Sequence, residues 1–189
     1  HGGILRVWDV GCSSGEETYS VAMTILEVLE SKKLQNKINV QIFATDIDEN
    51  ATRIAREGCY PASALLKVPR DKIARYFRPE NEHFRVTKEL RDMVIFSQRD
   101  LIKDPPFLRL DMIVCRNLLI YFGQRLQDRV FPFFHYALNN GGLLFLGKSE
   151  SIGRFSNLFT PISKNRKIFR REFSITKEIP MRPITKRNN

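Results

Sequence analysis

A chain of 189 residues that is 42% hydrophobic, 28% charged and 11% aromatic has the size and composition of one globular domain, not of a disordered segment. Its three cysteines, Cys12, Cys59 and Cys115, form no C-x-x-C pair and its three histidines are scattered, which excludes a disulfide framework and a zinc-finger pattern. The formal net charge of +10 is concentrated at one end: from Lys164 onward nine Lys and Arg face two Asp and Glu, so the remaining body carries only +3 and is not a basic nucleic-acid surface throughout.

No apolar run approaches the ~20 residues that cross a bilayer, and direct membrane insertion is not expected. The start, His1-Gly2-Gly3, has the pattern of neither a signal peptide nor a lipidation site. Reduced thiols and a cytoplasmic location are the expectation.

Ile4–Val10 is β-branched and aromatic and stops at Gly11, which predicts a buried strand. A turn, Gly11-Cys12-Ser13-Ser14-Gly15, follows it. Val21, Ala22, Ile25, Val28 and Leu29 then recur at helical spacing, with Ser14 and Glu17 in capping-box relation at the start. Val40–Asp46 reads as a second strand ending in an acid. A short helix from about Asp48 should end at Gly58, whose left-handed conformation would cap it. Strand–helix–strand–helix order implies right-handed βαβ units and a parallel sheet, a Rossmann-like core.

Residues 59–97 break that rhythm. A helix is expected from about Pro69 to Phe77, with Glu82–Thr87 and Met93–Ser97 as extended pieces of a small antiparallel ribbon on the sheet edge. The alternation resumes with the strand Leu110–Cys115 and a helix from Gln124 to Leu138, which Pro132 should kink. Asn139–Gly142 then turns into the strand Leu143–Leu146. Phe159–Ser163 and Lys167–Arg171 can pair as a hairpin around Lys164-Asn165. Beyond Glu172 periodicity ends. The expected organisation is therefore one α/β domain over 1–172, with an inserted β-subdomain at about 60–97, and a basic tail over 173–189.

Ligands of open α/β sheets bind outside the carboxyl ends of the strands. At the first tip, Gly11 and Gly15 would let a backbone approach a ligand, although a turn that only links strand to helix has the same residues. Glu16 and Glu17 occupy the positive helix end where a dinucleotide puts its pyrophosphate, which disfavours a phosphate ligand. At the second tip, Asp46 could accept hydrogen bonds from ribose hydroxyls or cap a helix, and Asp48 is better placed to cap. Asp100, before Leu101, could accept from an adenine amino group or close a turn. Arg116, after a buried strand, could grip a carboxylate or form an ion pair with Asp9, Glu16 or Asp46. Asp104-Pro105-Pro106-Phe107 has the composition of the motif with which DNA amino-methyltransferases hold an exocyclic nitrogen. It lies before its strand rather than after it, so a nucleic-acid substrate is not expected.

Taken together these motifs resemble those of the chemotaxis-receptor glutamate methyltransferases, the CheR family, over roughly Leu5 to Arg171. Gly11–Ser20 is similar to G-C-S-[ST]-G-E-E-P-Y-S, Ala44–Asp48 to A-[ST]-D-I-D, Cys115–Phe122 to C-R-N-[VL]-x-I-Y-F, and Gly141–Glu150 to G-G-x-L-x-x-G-x-S-E. The resemblance implies a class I S-adenosylmethionine-dependent methyltransferase sheet with a terminal antiparallel hairpin, and transfer of methyl to receptor glutamates. It implies a cofactor site of Gly11, Gly15, Glu16, Asp46, Ile47, Asp100, Leu101, Arg116 and Asn117, and catalytic roles for Arg116 and Tyr121. No metal is implied. The implied partner is the acidic helical cytoplasmic region of the receptors, toward which a basic surface would be steered.

Thr18 departs from the family's proline. The family's N-terminal helical domain and its linker arginine lie outside this chain, and the glycine-free Pro79–Glu82 loop argues against tethering of a receptor peptide. The alternatives are a non-catalytic S-adenosylmethionine-binding signalling module and, behind it, a nucleic-acid methyltransferase. Glu16-Glu17 and the missing middle glycine make an NAD-dependent oxidoreductase the remotest reading.

Overall fold

The computed structural model describes residues 3–173. The basic tail expected after that point, and the first two residues, lie outside the described residues.

The chain opens with β1 (Gly3–Val10), α1 (Glu16–Ser31), β2 (Ile38–Asp46) and α2 (Glu49–Glu57). Then come β3 (Cys59–Pro61), a 3₁₀ turn (Ala62–Leu65), α3 (Arg70–Tyr76), β4 (Phe77–Glu80), β5 (His83–Val86), α4 (Lys88–Asp92) and β6 (Val94–Gln98). β7 (Leu110–Cys115), a 3₁₀ turn (Leu119–Tyr121), α5 (Gln124–Ala137), β8 (Leu138–Leu146), β9 (Phe159–Ser163) and β10 (Ile168–Arg171) complete it.

Seven strands form one sheet in the order β6-β2-β1-β7-β8-β10-β9. The first five run parallel, and β10 pairs antiparallel with both β8 and β9. This is the α/β sheet with a terminal antiparallel hairpin that the sequence predicts. Val7 and Trp8 are adjacent in β1, yet they fall in different apolar clusters. Val7, Tyr19, Ala22, Ile42 and Phe96 pack on one face, and Trp8, Phe43, Ile113, Phe131, Phe134 and Leu144 on the other, as the two-residue period of a doubly covered parallel sheet requires. No helix among the described residues is long and apolar enough to cross a membrane.

α2 is capped as the sequence predicts. Asp48 Oδ1 accepts from the N–H groups of Asn50 (2.8 Å) and Ala51 (3.2 Å), and Gly58 closes the helix at φ +60°. α1 is not. Gly15, at φ +89°, is its N-cap, and the Ser14 hydroxyl donates to Glu16 rather than joining a capping box with Glu17. The expected turn at 139–142 is absorbed into β8, which follows α5 directly and bulges between the pairs Leu110–Leu138 and Met112–Leu143.

A second correction concerns the ribbon. Its sheet is β3-β5-β4, whereas the extended piece expected at Met93–Ser97 becomes β6, which pairs parallel with β2 from Val94 opposite Ile42 to Gln98 opposite Asp46. Phe96 faces the main core, and that burial holds the strand to the large sheet. From β1 the chain winds outward through β2 and β6, then returns to β7 on β1's other side. The carboxyl ends of β1 and β7 therefore flank the point where the winding reverses.

Candidate active site

The turn after β1 is held from below. The N–H groups of Gly11 and Cys12 both donate to the Thr45 carbonyl, at 2.8 and 3.0 Å. Gly11 and Gly15 have φ of +74° and +89°, and a Cβ on Gly15 would lie 2.7 Å from that of Ala55. Glycine is needed there by backbone and packing alike. Asp46 fixes the middle of the turn: Oδ2 accepts from the Ser13 N–H at 2.8 Å and Oδ1 from the Asp48 N–H at 3.0 Å. A carboxylate has about four acceptor positions, so about two remain open toward the crevice. Asp46 is thus an anchor of the turn with acceptor capacity to spare, not a helix cap. Ile47 beside it is exposed.

The two glutamates of the turn part company. Glu16 is exposed, takes only the Ser14 hydroxyl (2.7 Å) and has no cationic partner among the described residues. Glu17 turns inward and meets Arg116 at 2.5 Å. Arg116 therefore has an ion-pair partner other than the three expected from the sequence, and its guanidinium also sits 5.2 Å over the Phe145 ring. Burial pushes the Glu17 carboxyl upward against the pull of Arg116. Beneath them the buried Asp9 accepts the Thr18 hydroxyl at 2.5 Å, and burial raises its pKa to about 7. Burial also pushes the thiols of Cys12 and Cys115 well up.

At the β7 tip, Asn117 takes a left-handed backbone, φ +59°, and the 3₁₀ turn that follows leaves Tyr121 78% exposed. Glu150 holds this tip. Its buried carboxylate accepts from the N–H groups of Leu118 (2.9 Å), Leu119 (2.8 Å) and Gly147 (2.6 Å), tying the ends of β7 and β8 together. Between those ends lies an open cavity of about 370 Å³, lined by Arg116, Asn117, Ile120, Gly147, Lys148, Ser149 and Glu150. Tyr121 stands outside that lining.

Asp100 closes a turn. Its carboxylate accepts from the Ile102 N–H (2.9 Å), which holds it below the usual range, and pairs with Lys103 at 3.0 Å. Leu101 is half-buried against the α5-side core. Phe107 of the Asp-Pro-Pro-Phe run is spent on packing, stacked on Phe43 at 4.3 Å and edge-on to Trp8 at 5.4 Å.

Glu17, Arg116 and Asn117 thus gather at the reversal point with Asp9 beneath, Asp46 anchors the same turn, and Asp100 and Tyr121 lie apart from the cavity. Two members of the assembly, Asp9 and Glu150, are not assigned roles by the sequence. Asp9 is detectable as an acid inside an apolar strand, an arrangement that needs a buried partner. Glu150 closes the Gly141–Glu150 motif, but that motif does not announce its three backbone donors.

Residues 1–168 match the family model described as CheR methyltransferase, SAM binding domain. The chain is 34% identical over 168 residues to an uncharacterized 104.1 kDa protein in the hypE 3'region of Rhodobacter capsulatus, covering 89% of this chain and 17% of that protein. It is 35% identical over 162 residues to chemotaxis protein methyltransferase 2 of Vibrio cholerae, covering 84% of this chain and 55% of that one. The same identity extends over 167 residues of the chemotaxis protein methyltransferase of Escherichia coli, 84% of this chain and 56% of that one. The chain spans about half the length of these methyltransferases.

Proposed function

This chain belongs to the CheR methyltransferase family, through its S-adenosylmethionine-binding domain, and from that premise we propose that it transfers methyl from S-adenosylmethionine to glutamate side chains of chemotaxis receptors, giving methyl esters. The observation that carries the reading is the division of charge at the reversal point. Glu16, with no cationic partner among the described residues, and Asp46, with acceptor capacity to spare, lie on the turn side, and the Arg116–Asn117 cavity opens on the other. An anion at the helix end and a second at the β2 tip suit a ligand with an ammonium group and a ribose, and the residues fit S-adenosylmethionine.

Bound there, that cofactor supplies an electrophilic sulfonium methyl group. Glu16 takes the ammonium group, Asp46 the ribose hydroxyls, and Gly11 and Gly15 shape the turn. Ile47 and Leu101 flank the adenine, with the remaining acceptor capacity of Asp100 toward its amino group. A glutamate carboxylate, with a reference pKa of ~4.3, is ionised at neutral pH and needs no general base. The chain's contribution is alignment and exclusion of water. Arg116, fixed by Glu17, and Asn117 border the reacting atoms. Tyr121 positions the acceptor and becomes covered when the receptor docks. The setting would be the cytoplasm, where receptors present their helical signalling region.

The test incubates the chain with methyl-labelled S-adenosylmethionine and a soluble helical fragment of a chemotaxis receptor. Alkali-labile label on the fragment is expected, with slower turnover and unchanged S-adenosylhomocysteine affinity in Tyr121→Phe. Cofactor binding without transfer would replace the reading with a signalling module, and alkali-stable label on nucleic acid would replace it with the third alternative.

A further inference from the structure

The cavity between the β7 and β8 tips has an unexpected balance of charge. Arg116, the cation that the motif offers for an acceptor carboxylate, is already engaged by Glu17 at 2.5 Å. Glu150, also on the lining, brings a second carboxylate, with three backbone donors. On the lining the one anion is Glu150, and Arg116 is already neutralised by Glu17 from outside it, so without a further cation an anionic acceptor would meet no unengaged positive charge at the opening. Lys148 is that further cation. It lines the cavity one residue past Gly147, is exposed, and has no ion-pair partner among the described residues.

We propose that Lys148, rather than Arg116, is the residue that selects and holds the acceptor carboxylate. The proposal rests on the methyltransferase reading above. Arg116 keeps its place through Glu17 and Phe145 and shapes the wall. The Lys148 ammonium pairs with one oxygen of the substrate carboxylate, and the other oxygen attacks. In that displacement the attacking oxygen forms a bond to the methyl carbon, and the carbon–sulfur bond breaks with its electron pair passing to sulfur. No proton moves, so the residue at position 148 needs charge and reach and no acid–base function. The ammonium group on its flexible four-carbon stem supplies both. The backbone beside it is rigid where it matters, because Gly147 N–H is bound by Glu150 and a Cβ on Gly147 would lie 3.1 Å from Asn117 N.

The experiment compares this chain with Lys148→Met and Lys148→Arg, using labelled S-adenosylmethionine, a soluble receptor helical fragment, and calorimetric binding of S-adenosylhomocysteine. Lys148→Met should raise KM for the fragment about tenfold or more, the value of one charge-assisted contact, while kcat and S-adenosylhomocysteine affinity change little. Lys148→Arg should restore most of KM, and the dependence of KM on salt should weaken in Lys148→Met. Unchanged KM in Lys148→Met, or an arginine variant as poor as the methionine one, overturns the role of Lys148 while ester formation by the parent chain leaves the methyltransferase reading standing. A parent chain that binds S-adenosylhomocysteine and esterifies nothing overturns both.

Discussion

Glu17, in the first turn of α1, and Arg116, at the tip of β7, meet at 2.5 Å across the mouth of the crevice. Each side chain is roughly 30% exposed, which places the pair between a surface ion pair and a buried one. Glu17→Gln should cost about 1 kcal/mol of stability, read as a lower denaturant midpoint. It should lower methyl transfer by at least about tenfold, since Arg116 loses the partner that fixes it. Unaltered turnover would remove the pair from the mechanism.

Asp46 gives a cleaner separation of binding from folding. Its two backbone partners lie near solvent, so Asp46→Ala should cost under about 1 kcal/mol of stability because water replaces the lost acceptor. S-adenosylhomocysteine affinity should fall by about tenfold or more in calorimetry, a drop that Asp48→Ala should not reproduce. Equal affinity in Asp46→Ala and the parent would remove Asp46 from the cofactor site.

Asp9 sets a pH dependence. Its pKa rises from the ordinary carboxylate value of 3.8 to about 7, chiefly through burial, with Thr18 opposing the rise and Glu17 adding to it. A folded pKa above the unfolded one means that the native chain binds more protons between those values. Stability therefore falls as pH rises from about 4 to about 7, by a few kcal/mol, and levels off above. Asp9→Asn should flatten that slope and leave the variant more stable than the parent at pH 8. Urea midpoints of the two proteins from pH 5 to 8.5 measure the difference, in which the opposing acid-side contribution of His135, lowered by burial, cancels. Parallel curves would mean that Asp9 is ionised throughout.

Glu150→Ala should be the most damaging of these changes to the fold. It strips three N–H groups of their acceptor at once, two at the end of β7 and one at the end of β8. A loss of about 3 kcal/mol or more is expected, with the greatest loss of amide exchange protection at Leu118, Leu119 and Gly147. A loss below about 1 kcal/mol would show that the clamp is dispensable.

The central strands were legible because burial on both faces leaves near-continuous apolar runs, as in Val7–Val10 and Ile113–Cys115. The cap of α2 was legible because Asp48 and Gly58 act on their own neighbours. β6 was not, since Val94–Gln98 carries only Phe96 as a deeply buried anchor, and its partner β2 ends 48 residues earlier in the chain. The start of α1 departs from the Ser14 capping box for a related reason. A local capping box was outweighed by a left-handed glycine and by Glu17 turning to a partner 99 residues away. At the site, the types at the strand tips were readable and their pairings were not. Arg116 chose Glu17 over Asp9, Glu16 and Asp46 because only the folded geometry decides among acids that cluster within a few residues of one turn.

The position of β10 has a consequence for how the molecule is made. Among the described residues β9 hydrogen-bonds to the sheet only through β10, although it precedes it in the chain, and β10 supplies the antiparallel neighbour of β8. During synthesis the parallel half from β6 to β8 can collapse first, while β9 waits for a partner not yet emerged. Phe159, fully buried beside Phe131 and His135 in the finished structure, stays exposed for that interval. β10, the last strand among the described residues, is thus the one that locks this sheet, and a chain stalled before Arg171 presents an unpaired β8 edge and a bare aromatic face, the features that invite aggregation.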